Sequence, residues 1–418
     1  MGVSNTTAMK WASALSLETS ATSAVAVAIA DLKSKLGNRR PDVAFLFVSS
    51  HHRPNYQAIV TAVLKQLAPG HLLGCSADSV VGDGHEAEHV PALALAGALL
   101  PNVEIKPIRI ESRGLPGLDS SPRAWEEALG VKAAAEPHFV ILADPFSMQA
   151  DEMLAGLDFA YPRAVKVGGL ASGGRRPGQN ALFWDHYIFH DGAVALALSG
   201  DVRIETVVSQ GCRPFGPVFS ITKCERNVLL ELDHRPALEV LRSLYRRANA
   251  RDQHLMPTSL LLGLAMDPFR EGPPGPGDFL IRTPIGLEAK RGALVIAALL
   301  HNGQMVQFHL RDPKTASEDL VDALRRYAAR CLDASKGEAL PPPPRGALLF
   351  ACLARGRHLF GAADHDAQAF RAELGDVPLT GLFCNGEIGP VGGTTYLHGF
   401  TSCFGIFRAK SDAEAQPQ

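Results

Sequence analysis

Apolar residues fall in short runs at recurring intervals along the chain. Residues 43–48, 139–143, 260–265 and 347–352 are each strand-length and rich in Val, Leu, Ile or Phe, as expected of strands buried on both faces. A helical pattern precedes each run, at 21–36, 122–135, 236–248 and 316–332. Pro122 and Pro236 suit first-turn positions, where a missing N–H costs nothing.

Each run ends in a polar or tight turn. These are Ser49-Ser50-His51-His52, Cys352 through Gly356, and an Asp-Pro-Phe triplet that occurs at 144–146 and again at 267–269. A second helix is expected at 55–67, 148–159 and 366–374, whereas the third copy carries a Gly/Pro loop at 272–277. A glycine turn and further strands follow, at 92–100 with 103–110, 193–199 with 202–208, 293–300 with 304–310, and 401–407 alone. Connectors such as His301-Asn302-Gly303 fit hairpins, since Asn and Gly tolerate positive φ.

The first and fourth copies match most closely. Gly74 through Gly82 aligns with Gly381 through Gly389, setting Asp78 on Asn385 and Val81 on Ile388. The pattern predicts an α/β protein of two related halves, each of two helix-strand-helix-turn-strand modules with mixed sheets and packed helices. The expected domains are 9–209 and 210–408, followed by a disordered tail at 409–418. Pro341 to Pro344 reads as a stiff connector. At least one of Gly74 and Gly381 is expected at positive φ.

Composition narrows the function. The chain has 418 residues, 46% hydrophobic and 20% charged, with a net charge of -2. That balance offers no nucleic-acid surface. Arg246, Arg247 and Arg251 read as a solvated helix face. The seven cysteines form no C-x-x-C pair, so neither a zinc site nor a dithiol motif is expected. Free thiols and the lack of a signal-peptide or membrane-spanning run predict a cytoplasmic protein. His51 and His52 would point to opposite sides of an extended segment, and His85, His89 and His398 are scattered, so no metal is expected. No cofactor is indicated.

Candidate chemistry lies at the strand ends. Gly74, Cys75 and Ser76 are expected at an exposed strand end, where α/β folds place ligands. Cys352 beside Arg355 combines a thiol with a guanidinium that favours thiolate and can clamp a carboxylate. Asn385 and Glu387 sit in a tight loop with Gly386 and Gly389. Arg355 and Glu387 together would suit a zwitterion such as an amino acid; a direct salt bridge between them would only staple two loops. Three functions stay open: a sensory module for a small polar ligand, a cysteine-dependent enzyme using Cys352 or Cys384 with His398, and an interaction scaffold without ligand. Gly168 through Gly174 lacks the Lys-Ser/Thr of a phosphate loop.

The stretch from Gly381 to Ser402 resembles the closing motif of the FIST C-terminal domain, and Phe350 to Gly356 resembles its second signature. Gln210 to Gly216 with Thr222 is similar to the segment where that domain begins. Gly74-Cys75-Ser76-Ala77 with Glu86 and Glu88, and Gly168-Gly169 with Ser172-Gly173, resemble the FIST N-terminal domain. The resemblance covers about 9–408 and implies intracellular signal transduction by ligand binding, with no catalytic motif to carry over. The first helix starts near the N-terminus and no output domain is evident, so no F-box is expected. The implied partner is a separate signalling output protein.

Overall fold

The structure is a computed structural model describing residues 8–117, 119–267, 272, 274–275, 277–332 and 342–410. Pro268 and Phe269 of the second Asp-Pro-Phe triplet, part of the loop at 272–277, Pro341 and the tail from 411 lie outside the described residues.

The first module is β1 (Lys10–Ser16), α1 (Ala21–Leu36), β2 (Val43–Ser49), α2 (Tyr56–Gln66), β3 (His71–Ala77), the hairpin β4 (Ser79–Gly82) and β5 (His85–Ala87), and β6 (Leu93–Leu99). Local chemistry sets its bounds. Ser20 caps α1 by accepting the Ser23 N–H, and Gly37 closes the helix at φ 65, the left-handed conformation glycine adopts most readily. The second module repeats the plan with β7 (Val103–Ile110), α3 (Pro122–Leu129), β8 (His138–Ala143), α4 (Ala150–Ala160), β9 (Lys166–Leu170), the hairpin β10 (Leu182–Trp184) and β11 (Tyr187–Phe189), and β12 (Ala193–Gly200). Pro122 takes the first turn of α3, and Gly130 ends that helix earlier than its apolar pattern suggests.

β13 (Arg203–Ser209) opens a further copy, but residues of different topology come next: β14 (Arg213–Glu225), β15 (Val228–Leu232), β16 (Arg235–Pro236), α5 (Ala237–Arg247), α6 (Ala250–Ser259), β17 (Leu260–Ala265), β18 (Phe279–Arg282), β19 (Pro284–Glu288), β20 (Ala293–Ile296) and β21 (Met305–Leu310). The copy then resumes with α7 (Pro313–Leu332), β22 (Gly346–Cys352), α8 (Arg357–Phe360), α9 (His365–Leu374), β23 (Leu379–Cys384), the hairpin β24 (Glu387–Val391) and β25 (Thr394–His398), and β26 (Ser402–Arg408).

Packing groups these elements differently from their order along the chain. One compact unit holds residues up to 208, 321–397 and from 401; a second holds 209–320 with 398–400. The first unit contains three sheets of one design. Strand order β1-β6-β2-β3 recurs as β7-β12-β8-β9 and β13-β26-β22-β23. In each, the third and fourth strands are parallel neighbours. Each sheet is completed by a hairpin from another module: β10-β11 joins the first sheet, β24-β25 the second and β4-β5 the third. The three donations form a closed cycle. One apolar core, with Phe45, Leu142, Val167, Leu196, Phe350 and Leu382 in it, draws on all three sheets. Helices cover the outer faces of the first two, α1 and α2 on one and α3 and α4 on the other.

The second unit keeps part of the plan. Its order β14-β21-β17 is antiparallel throughout, as in β1-β6-β2, but β18 is antiparallel to β17 where a parallel strand stands elsewhere. Antiparallel neighbours need no long crossover, whereas parallel ones do.

The expected alignment of Gly74 with Gly381 holds in register. Gly74 faces Leu46, Gly168 faces Ile141 and Gly381 faces Leu349 across the three parallel pairs. Their expected positive φ does not: neither Gly74 nor Gly381 is among the positive-φ residues. Space is the reason for glycine here. A Cβ at Gly74, Gly168 or Gly381 would lie 2.0, 1.8 or 1.9 Å from the carbonyl oxygen of that facing residue. Gly286 in β19 is a contrast, with its nearest contact at 3.6 Å. Alanine at Gly74, Gly168 or Gly381 is therefore expected to destabilise by about 2 kcal/mol or more, since backbone must shift. Gly286→Ala should be neutral or stabilise by up to about 1 kcal/mol. Chemical denaturation of the four variants measures both.

Candidate functional site

Three strand ends meet inside the first unit. Position for position they read Ser76-Ala77-Asp78, Leu170-Ala171-Ser172 and Phe383-Cys384-Asn385. Backbone and short side chains stitch them together. The Asp78 N–H donates to Ser172 Oγ at 2.8 Å. The Leu170 N–H donates to the Gly386 carbonyl at 2.9 Å and the Asn385 N–H to the Leu170 carbonyl at 3.1 Å. Asn385 Nδ2 donates to the Ala171 carbonyl at 2.9 Å.

The expected exposure of the first of these ends fails. Cys75 and Ser76 are buried, because the donated strand β10 covers β3 with Leu182 against Cys75. Ser76 Oγ accepts the Ala181 N–H at 3.0 Å and donates to the Ser172 carbonyl at 3.2 Å. Gly74 lies within β3 rather than in a turn. These three residues shape the strand end.

Cys352 ends β22 with Arg355 on the turn after it, and Asn385 follows β23 with Glu387 opening β24. β22 and β23 are parallel neighbours with Cys352 opposite Cys384, so both following turns leave from one edge, as α/β sheets require of a shared crevice. Cys352 is half-buried, Asn385 is exposed, and Glu387 is fully buried. The Thr401 N–H donates to Glu387 Oε2 at 3.1 Å, and Cys384 Sγ donates to Oε1 at 3.5 Å. Two described cavities, of 540 and 520 Å³, are lined by none of the four.

Arg355 does not bridge to Glu387. Its Nε and Nη2 grip Asp366 at the start of α9, at 2.7 and 2.9 Å, with both partners buried. Asp366 also accepts from Ser402 Oγ and pairs with His365 Nδ1 at 2.8 Å. The Arg355 guanidinium lies 5.2 Å from the Phe360 ring centre, and that ring stacks on His365. Glu86 enters the same corner on the donated strand β5. Its Oε1 accepts the Ala367 N–H at 2.9 Å. Glu88 accepts the Arg357 N–H at 2.9 Å, and Asp364 ties down the hairpin by accepting from His85 Nδ1 at 3.1 Å. Two buried polar atoms of this corner lack hydrogen-bond partners: Arg355 Nη1 and Glu86 Oε2. Such atoms are costly to leave unpaired.

The electrostatics of the corner are split. Burial, with the Asp366 charge second, pushes the Glu86 carboxyl up to about 8. Burial acts on Asp366 too, but Arg355, His365 and Ser402 outweigh it and hold that carboxyl below its usual range. Of the thiols, Cys384, Cys403 and Cys75 are pushed well up by burial, so they stay protonated and make poor nucleophiles. His398 belongs to the second unit. Among the described residues no group of three or more His, Cys, Asp or Glu is placed to hold a metal ion.

The sequence reading missed Asp366 and Ser402 as functional partners. Asp366 reads there as the start of a helix, where an acid is expected for the helix dipole alone. Glu86 and Glu88 entered only through the family resemblance.

The chain matches the FIST N domain over residues 42–235 and the FIST C domain over 237–390. It therefore belongs to the FIST family, whose domains are signal-transduction sensory domains. Among its relatives is the uncharacterized protein Rv0628c of Mycobacterium tuberculosis (strain ATCC 25618 / H37Rv), 36% identical over 92% of this chain and 96% of the relative. Another is the uncharacterized protein Mb0898c of Mycobacterium bovis (strain ATCC BAA-935 / AF2122/97), 34% identical over 90% of this chain and 92% of the relative.

Two outcomes follow for the corner. Arg355→Ala should cost about 3 kcal/mol or more, because it takes the guanidinium from a buried carboxylate and leaves it only His365 and Ser402; urea unfolding measures it. Glu86 has a folded pKa of about 8 against an ordinary 4.5. Between those values the folded chain keeps a proton that the unfolded chain has lost. Stability from this group therefore falls as pH rises from 4.5 to 8 and levels off above that window. Glu86→Gln should remove this component, so the wild-type-minus-variant unfolding free energy should decline across that window.

Proposed function

We propose that this chain is a sensory input module that binds a small polar ligand, an amino acid or a related metabolite, at the corner formed by Cys352, Arg355, Asn385 and Glu387 with Glu86. The observation that carries the reading is the pair of buried, unpartnered atoms, Arg355 Nη1 and Glu86 Oε2. One is a charged donor. The other belongs to a carboxyl poised between its two protonation states near neutral pH. A ligand carboxylate would take the hydrogen bond from Nη1, and a ligand ammonium would draw Glu86 into its ionised form. The Gly74–Ser76 end would hold the adjoining strand in place rather than touch the ligand. Asn385, exposed on its turn, is the member best placed to meet a ligand arriving from solvent.

In this reading the ligand shifts a population of the module between two states, and a separate output protein reads the shift. Among the described residues no helix is long and apolar enough to cross a membrane, and the proposal places the module in the cytoplasm.

A thermal-shift screen against amino acids and related metabolites tests the proposal. A true ligand at about 100 times its Kd should stabilise the protein by about 2.7 kcal/mol. For an amine ligand, affinity should rise with pH toward about 8, as Glu86 ionises, and Glu86→Gln should flatten that dependence. A ligand whose binding ignores both Glu86→Gln and Arg355→Lys would place the site elsewhere. Turnover of a substrate that is lost in Cys352→Ala would replace the sensory reading with the cysteine-enzyme one.

A further inference from the structure

The second unit carries a groove of about 520 Å³ between α5, α6 and the edge strand β19. Its walls are apolar: Leu241 and Tyr245 on α5, Met256 and Pro257 on α6, Pro284 and Leu287 on β19. Beside it lie side chains that folding has left in water. Tyr245 is 44% exposed, Ile285 60% and Leu287 64%. Exposed apolar groups gathered at one place mark an interaction surface, whereas single ones do not.

The charges at this groove all have one sign. Arg242 and Arg246, one turn apart on α5, are the charged residues of its lining, and no carboxylate contributes to it. Neither has an ion-pair partner among the described residues. The nearest acid along the helix, Glu239, is taken by Arg235 at 3.0 Å. A guanidinium beside an apolar slot selects a partner with apolar anchors and flanking carboxylates.

We infer that this groove docks an acidic amphipathic helix of a separate protein, the output partner of the sensory module. Two helices and a strand edge form a trough of the kind that takes a helix by its i, i+3, i+4 and i+7 anchors. Leu241, Met256 and Leu287 line the slot for those anchors, and Arg242 and Arg246 meet the carboxylates along one side. A small amphiphile would fill the slot but leave Ile285 exposed, so a macromolecular partner accounts for more of the surface. The inference is independent of the ligand site, since its residues lie between Leu241 and Leu294.

The test uses the full chain and a fluorescein-labelled amphipathic helix of about sixteen residues, long enough to be partly helical alone, with Leu anchors and Glu flanks. A twin carries Lys for Glu. By fluorescence anisotropy the acidic peptide should bind, and the basic twin should bind at least about tenfold more weakly. Added salt should weaken the acidic complex. The double variant Arg242→Glu, Arg246→Glu should lose about tenfold or more in affinity for the acidic peptide and gain for the basic one. Leu287→Asp should lose binding while thermal melts show the fold retained. No binding to the wild type, equal binding of the twins, or indifference to both variants would overturn the inference. So would light scattering that shows a dimer dispersed by Leu287→Asp, or displacement of the peptide by a simple fatty acid, since each assigns the groove to another occupant.

Discussion

Each parallel strand pair of the first unit is completed on its outer side by a hairpin that another module donates. β4 pairs with β23, β10 with β3 and β24 with β9, all antiparallel. Without the exchange, each module would leave an unpaired strand edge, which carries a row of unsatisfied N–H and C=O groups. The tight approach within each parallel pair belongs to the same arrangement, because glycine at 74, 168 and 381 lets the strand lie against its neighbour's carbonyl. A cycle of three donations ties distant parts of the chain into one cooperative body. The β24-β25 hairpin shows how firmly. Asp158 on α4 accepts from the Thr395 N–H and hydroxyl and also holds the buried Lys166 ammonium at 2.7 Å.

The polar corner is a product of the same exchange. Glu86 reaches Arg355 and Asp366 only because β5 is seated at the edge of the third sheet. Residues far apart in sequence thus share one buried site, and the site exists only when the donated hairpin is in place. A ligand that satisfies Arg355 Nη1 and Glu86 Oε2 would favour the seated hairpin over a loosened one. In that proposal, occupancy would be coupled to the cycle that holds the unit together.

Much of the fold was legible because its signals are local. The four apolar runs, their preceding helices and the bounds of α1 and β17 follow from periodicity and caps. The equivalence of Gly74 and Gly381 was legible too, but its cause was not. A glycine needed for space and a glycine needed for positive φ look alike in a sequence, and only the facing carbonyl tells them apart. The hairpin exchange was not legible, since nothing in Val80-Val81 says which sheet it joins. The burial of Cys75 and Ser76 follows from that unseen pairing. Arg355 was marked as a clamp for a carboxylate, and it is one, but Asp366 could not be recognised as its partner before α9 was placed beside β22.

The threefold repetition also supplies an internal control on which residues are scaffold. Register makes Ser49, Asp144 and Cys352 equivalent, as it does Ala77, Ala171 and Cys384. It likewise makes Val80, Leu182 and Glu387 equivalent on the donated hairpins. At the last two positions, two copies hold a small or apolar residue and the third holds a thiol or a carboxylate. Packing needs are the same in all three, so packing alone would keep Glu387 apolar. A fully buried carboxylate thus stands where Val or Leu fills the other copies, and it accepts from the Thr401 N–H and Cys384 Sγ. One copy out of three thus departs at positions where the other two record what the architecture alone demands, and the departure falls where the β23 strand end meets the second sheet.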